Sequence, residues 1–177
     1  MPLVKLSAKQ VSEIVGWVAG YIADQRQIYR PKAERLSHKH RRQLERFFPP
    51  EVLSSVRVIR GKAGVPAFYR RLSAMGIGNA PSFSDMAAVT FQDVVLHLEA
   101  LTPRLLFHEL VHAVQYRHLG LEGFAERYVN GFLTGGSYAG IPLEKQAYEL
   151  EARFAAKPAE GFSVEQDVGE RIRRREF

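Results

Sequence analysis

The sequence predicts an α+β fold, mostly helical, with a small sheet between two helical stretches. Three observations carry this expectation. Apolar residues recur at helical spacing near the start of the chain. Two segments rich in β-branched residues, SSVRVIRG and AAVTFQDVVLHLEA, lie in the middle. Downstream of them the pattern is again helical, punctuated by proline and glycine, and the order helices, sheet, helices is that of an α+β domain.

Taken in order, Leu6, Val11, Ile14, Val15, Val18 and Ile22 place a first helix over residues 6–29, with Ser7 as its cap. A second, very basic helix is expected from Ser37 to Phe48, stopped by Pro49-Pro50. Val56, Val58 and Ile59 mark a short strand, and VPAFYRRLSAMG a helix opened by Pro66 and closed by Gly76. The loop GIGNAPS lacks the third glycine and the following helix of a phosphate cradle. The best strand runs from about Val89 to Leu98. Thr102-Pro103 then caps a helix ending near Gly120, a second helix spans about Leu121 to Leu133, and Pro142 opens a third with the stripe Leu143, Ala147, Leu150 and Phe154. A last polar helix, Val164 to Arg175, has little to bury and reads as an appendage. The expected organisation is a basic helical segment over 1–50, a central domain over 51–160 and a basic tail over 161–177, together one compact domain.

Composition narrows the chemistry. The 177 residues are 46% apolar and include no cysteine, which excludes disulfides, thiol catalysis and cysteine-ligated zinc. Any tightly held transition metal must therefore rest on His, Asp and Glu. No apolar run approaches a membrane span and the start lacks a signal-peptide core, so a cytoplasmic protein without a membrane partner is expected. The net charge of +6 is concentrated between Arg26 and Arg46 and in the tail Arg171, Arg173, Arg174, Arg175. No nucleic-acid fold signature accompanies these clusters. Solvated helix faces are the expected reading, and nucleic-acid binding through residues 26–46 is the alternative.

Residues 105–118, LLFHELVHAVQYRH, carry an H-E-x-x-H pattern. On a helix His108 and His112 lie about 40° apart and about 6 Å apart along the axis, so both imidazoles reach one metal ion. Glu109 stands beside that ion, where a base belongs. Leu105, Leu106, Phe107, Leu110, Val111, Ala113 and Val114 surround the trio, so its polar groups are buried and need partners.

His118 has the spacing of a third ligand in metzincins, but on a continuous helix it lies about 15 Å along the axis from His108. It could return only if the helix broke at position 115. That residue is Gln115, the first glycine is Gly120, and Met1, Met75 and Met86 all precede the motif, which leaves no methionine turn. A glutamate from a later helix is the other solution. IPLEKQAYELEARF offers Glu144, Glu149 and Glu151; Glu144 and Glu151 flank the apolar stripe on one side, and Glu149 points elsewhere. Glu144 also sits in the first turn after Pro142, where the helix dipole favours a carboxylate. Glu122 and Glu126 lie too close behind the motif. Glu144 is the expected ligand, with Glu151 in reserve.

HELVHAVQY followed about thirty residues later by PLEKQAYELEARFA resembles gluzincin metallopeptidases, in particular small single-domain, minigluzincin-like ones. The resemblance covers residues 85–156. It implies a small sheet ahead of a zincin-type active-site helix and a later glutamate helix. It also implies Zn2+ held by His108, His112 and Glu144, with a zinc-activated water attacking a peptide bond and Glu109 as its base. The partner would be a peptide or protein substrate, and VTFQDVVLH would be the edge strand that pairs with it. In the family's E-x-x-A-D pattern Glu144 and Ala147 fit, but Tyr148 replaces the aspartate that supports a ligand histidine, so that support is unassigned here. Tyr138, Tyr148 and His97 are open as oxyanion stabilisers. The competing readings are a zinc-binding protein without turnover, a basic interaction module with a structural metal, and a latent enzyme whose tail ERIRRREF lies in the cleft.

Overall fold

The computed structural model describes residues 6–176. It is α+β and mostly helical, with seven helices and a four-stranded mixed sheet among those residues. Helix α1 (Ala8–Tyr29) opens with a reciprocal cap: the Ser7 hydroxyl accepts from the Gln10 amide, and the Gln10 side chain accepts from the Ser7 amide at 2.8 Å. Then come β1 (Glu34–Arg35), α2 (His38–Leu44), α3 (Pro50–Ser55), β2 (Arg57–Arg60) and α4 (Tyr69–Ala74). The basic helix is thus shorter than the sequence suggests. Proline tolerates a first helical turn, so Pro50 begins α3 rather than only ending what precedes it.

The strand expected over 89–98 is a hairpin instead: β3 (Ala88–Phe91) and β4 (Val94–His97) pair antiparallel across Gln92-Asp93. Gln92 takes the left-handed conformation, φ 60°, that this tight reversal requires. Both strands are nearly buried throughout and apolar apart from Thr90 and His97, so no alternation announced the turn. The sheet order is β1-β2-β4-β3, with β2 and β4 parallel.

The turn is tied to α1. Asp93 accepts from Arg26 Nε at 2.5 Å and from Arg30 Nε at 2.8 Å. Two cations of the basic stretch are thereby committed to the fold. Burial pushes the Asp93 carboxyl up, but the hydrogen bonds and charges of Arg26 and Arg30 outweigh it and hold the group below its ordinary value. The stabilisation is therefore present above the ordinary carboxylate range and lost as pH falls through the depressed value. Asp93→Asn is expected to cost about 1–2 kcal/mol at neutral pH, with the two urea midpoints converging in strong acid. An equal gap at both pH values would refute the tether.

Helix α5 (Pro103–Gly135) is two helices joined at Gly120, whose φ of 68° breaks the run. Its first half divides the core. One face packs with Phe47, Phe48, Val52, Val95, Leu150 and Phe154, while Tyr116 belongs with Ile14, Val18, Ile22, Phe91, Phe124 and Leu143 on the other side. A helix sandwiched between two clusters must be apolar nearly all round, as LLFHELVHAVQY is. Helix α6 (Pro142–Ala156) and helix α7 (Val164–Arg173) follow. The last helix was expected to bury little, yet Val164 and Val168 are fully buried in the second cluster. The first fifty residues contribute to both clusters as well. No helix among the described residues is long and apolar enough to cross a membrane.

Candidate metal centre

The motif helix places His108 and His112 one turn apart on one face, with Glu109 beside them. Bringing α6 back over that face requires a sharp return after α5. Gly135 and Gly140 permit it: a Cβ on either would come within 2.8 Å of the other's backbone. The return carries Tyr138 in a short 3-10 turn, and Glu144 in the first turn of α6, onto the two histidines.

Three atoms converge there. His108 Nε2 and His112 Nε2 are 3.2 Å apart, and Glu144 Oε2 is 3.4 Å from each. All three residues are about 95% buried, and this is the one group of its kind among the described residues. Glu144, not Glu151, joins the cluster.

The second nitrogens of the histidines are already engaged. His108 Nδ1 lies 3.2 Å from Glu151 Oε2, and Arg104 holds the other oxygen of Glu151 through two contacts of 3.0 and 2.8 Å. His112 Nδ1 lies 2.8 Å from Gln115 Oε1. Gln115, fully buried, donates its amide to the Leu143 carbonyl at 3.0 Å and to Gln146 Oε1 at 3.1 Å. Because Glu151 and Gln115 present acceptors, both Nδ1 atoms carry the proton, and both Nε2 lone pairs face Glu144 and each other. Two imidazole nitrogens and a carboxylate oxygen at these distances could hold one metal ion between them. The donor set, two nitrogens and one oxygen, suits zinc.

Without a metal, a proton fills that role. Burial pushes His112 down, but Glu144 and Glu109 more than reverse this, raising it to about 9. Burial likewise pushes Glu144 up, and the charges and hydrogen bonds of His112 and His108 override it, holding the carboxyl well below its usual range. For Glu109 burial wins and its pKa is raised, although His112, His108 and Thr90 act in the other direction.

Two supports escaped the sequence reading. The Thr90 hydroxyl of β3 donates to Glu109 Oε2 at 2.6 Å and stands 3.0 Å from the Glu109 carbonyl oxygen. Gln115 entered only as a residue compatible with a continuous helix. Each is a polar side chain in an otherwise apolar segment, and that was the available signal. Gln115→Ala would leave His112 Nδ1 without its acceptor and Gln146 Oε1 without its donor. It is expected to cost at least about 2 kcal/mol of stability and about 10–100-fold in metal affinity. Thermal melting and chelator competition read the two effects; an unchanged affinity would assign Gln115 to packing alone.

The remaining expected residues separate cleanly. His118 faces α7, its ring 3.2 Å from where a Gly169 side chain would start and its Nε2 3.7 Å from Glu165. Glu149 pairs with Arg171 of α7. Tyr138 donates to Glu144 Oε2 at 2.7 Å, and the half-exposed Tyr148 lays its ring 4.5 Å from that of His108. Both border an outer cleft of about 360 Å³, together with His108, Glu109 and the residues leading into the edge strand β3. His97 borders neither that cleft nor the smaller cavity behind the triad; its Nδ1 lies 2.9 Å from the Glu99 carbonyl oxygen.

Comparison with protein-family models, with curated proteins and with solved structures finds no match for this chain. The reading of the site rests on its geometry.

Proposed function

We propose that this chain is a zinc-dependent metallopeptidase of the gluzincin kind, hydrolysing peptide bonds in a peptide or protein substrate. The single observation that carries the reading is the convergence of His108 Nε2, His112 Nε2 and Glu144 Oε2 on one point beside Glu109, with His108 and Glu109 bordering an open cleft. The proposed setting is cytoplasmic.

Zinc bound by these three residues would act as a Lewis acid, polarising the scissile carbonyl and making water acidic near neutral pH. The chain's own groups supply the rest. Glu109 takes the proton of the attacking water and passes it to the leaving amine. Thr90 holds its carboxylate in one orientation, and burial raises its pKa above the ordinary carboxylate value. Glu151 and Gln115 hold the imidazoles. Tyr148 stands on the cleft side as a hydroxyl donor for the developing oxyanion, the Tyr138 proton being given to Glu144. An extended substrate would lie along the edge of β3.

The test pairs elemental analysis with a cleavage assay on wild type and Glu109→Gln. One zinc per chain with cleavage in wild type alone supports the reading, and a chain that binds no zinc overturns it. Zinc without cleavage in wild type would identify the site as structural, the role that its deep burial favours.

A further inference from the structure

We infer that the groove beside the hairpin turn is an anion site, which takes a phosphate group through Arg26, Arg117 and the guanidinium groups at its rim. Neither Glu109 nor any of the three converging residues lines it, so the inference stands apart from the peptidase reading.

The groove measures about 230 Å³ and lies between α3, the Gln92-Asp93 turn and the first half of α5. That is many times the about 15 Å³ that seats one water, so a tetrahedral oxyanion has room. Arg26 of α1 and Arg117 of α5 both line it, together with Gln92. Two more guanidinium groups reach residues of its wall. Arg30 donates to the Asp93 carboxylate at 2.8 Å, and Arg57 donates to the Ser55 and Val56 carbonyls at 2.9 and 3.0 Å.

Against these four cations stands one carboxylate. Asp93 is the only acidic residue lining the groove, and Arg26 and Arg30 already occupy its two oxygens. Arg117 is exposed and shares in neither pair. Arg57 is met by carbonyl dipoles, and across the sheet its neighbour on β1 is Arg35. The surplus acts on Arg57 itself. Burial first, then the charges of Arg30 and Arg35, hold its guanidinium below the ordinary value, and Asp93 offsets them only in part.

Three segments far apart in the chain thus bring like charges onto one concave surface, and their mutual repulsion is relieved by an anion. Guanidinium forks match phosphate oxygens in pairs. Phosphate also brings up to about two negative charges near neutral pH, where a carboxylate brings one.

Inorganic diphosphate and a short oligothymidylate are titrated calorimetrically into wild type, Arg117→Ala and Arg173→Ala. Because Arg117 is exposed, its replacement removes no buried contact. Arg117→Ala should weaken diphosphate at least about tenfold, the scale of one charge-assisted hydrogen bond. Arg173→Ala, which removes an exposed cation of α7, should bind as wild type does. Added sodium chloride should weaken both probes. Tighter diphosphate assigns the site to a small phosphorylated ligand, tighter oligothymidylate to a nucleic-acid backbone, and either supports it. Failure of both probes to bind overturns the site, as does equal weakening in the two variants. Full affinity in Arg117→Ala, the mark of an anion held at the metal centre instead, overturns it too.

Discussion

Glu109→Gln should leave a folded protein that holds one zinc and cleaves peptides about 10²–10⁴-fold more slowly than wild type. The substitution keeps the shape of the side chain. Its carbonyl oxygen still accepts from the Thr90 hydroxyl, which stands 2.6 Å from the carboxylate, so the buried helix loses no partner there. The three converging donor atoms belong to other residues and are untouched. What disappears is the ability to take a proton, because a carboxamide is not a base near neutral pH. Elemental analysis and a quenched-peptide assay on the same preparation read the two halves of the expectation. Cleavage at the wild-type rate would remove Glu109 from the mechanism, and loss of zinc would mean that the carboxylate helps to hold the metal.

Glu144→Ala is expected to have the opposite signature, with zinc itself lost. It removes the anionic donor and leaves two imidazole nitrogens 3.2 Å apart, while the Tyr138 hydroxyl forfeits its acceptor. Changes to groups that merely support a ligand cost about 10–100-fold in affinity, so removal of a ligand should exceed about a hundredfold. Competition with a fluorescent chelator measures it. Glu151→Gln is the informative partner, because its amide oxygen can still accept from His108 Nδ1; it should stay within the supporting range. His118→Ala should keep full affinity, since that ring packs on α7. Equal losses in the Glu144 and Glu151 variants would mean that both carboxylates bind the metal.

Much of this arrangement was legible in the chain before any coordinates. Helical periodicity located α1, both halves of α5 and α6, because a buried or half-buried helix writes its contacts at a fixed spacing. The same arithmetic put His108 and His112 on one face and sent His118 away from it. Proline and glycine marked the return that begins α6. The hairpin was hidden for the converse reason: β3 and β4 are buried across both faces, so nothing alternates, and the Gln-Asp turn carries no glycine. The buried contacts of α7 were overlooked rather than hidden: Val164, Val168 and Ile172 recur every four residues along a charged helix, a narrow stripe that packs into the second cluster.

The sequence by itself determined the helix that carries His108, Glu109 and His112, the residue types able to hold a metal in a chain without cysteine, and the two carboxylates able to complete the set. Only the tertiary structure decided between Glu144 and Glu151, and assigned Thr90 and Gln115 to the groups they orient. The physical reason is reach. A ligand pair one turn apart is fixed by local helix geometry, whereas a third donor, its support and the pocket behind it depend on how α1, the hairpin and α6 close over that helix. Those distances are set by packing between segments far apart in the chain, and no local pattern records them.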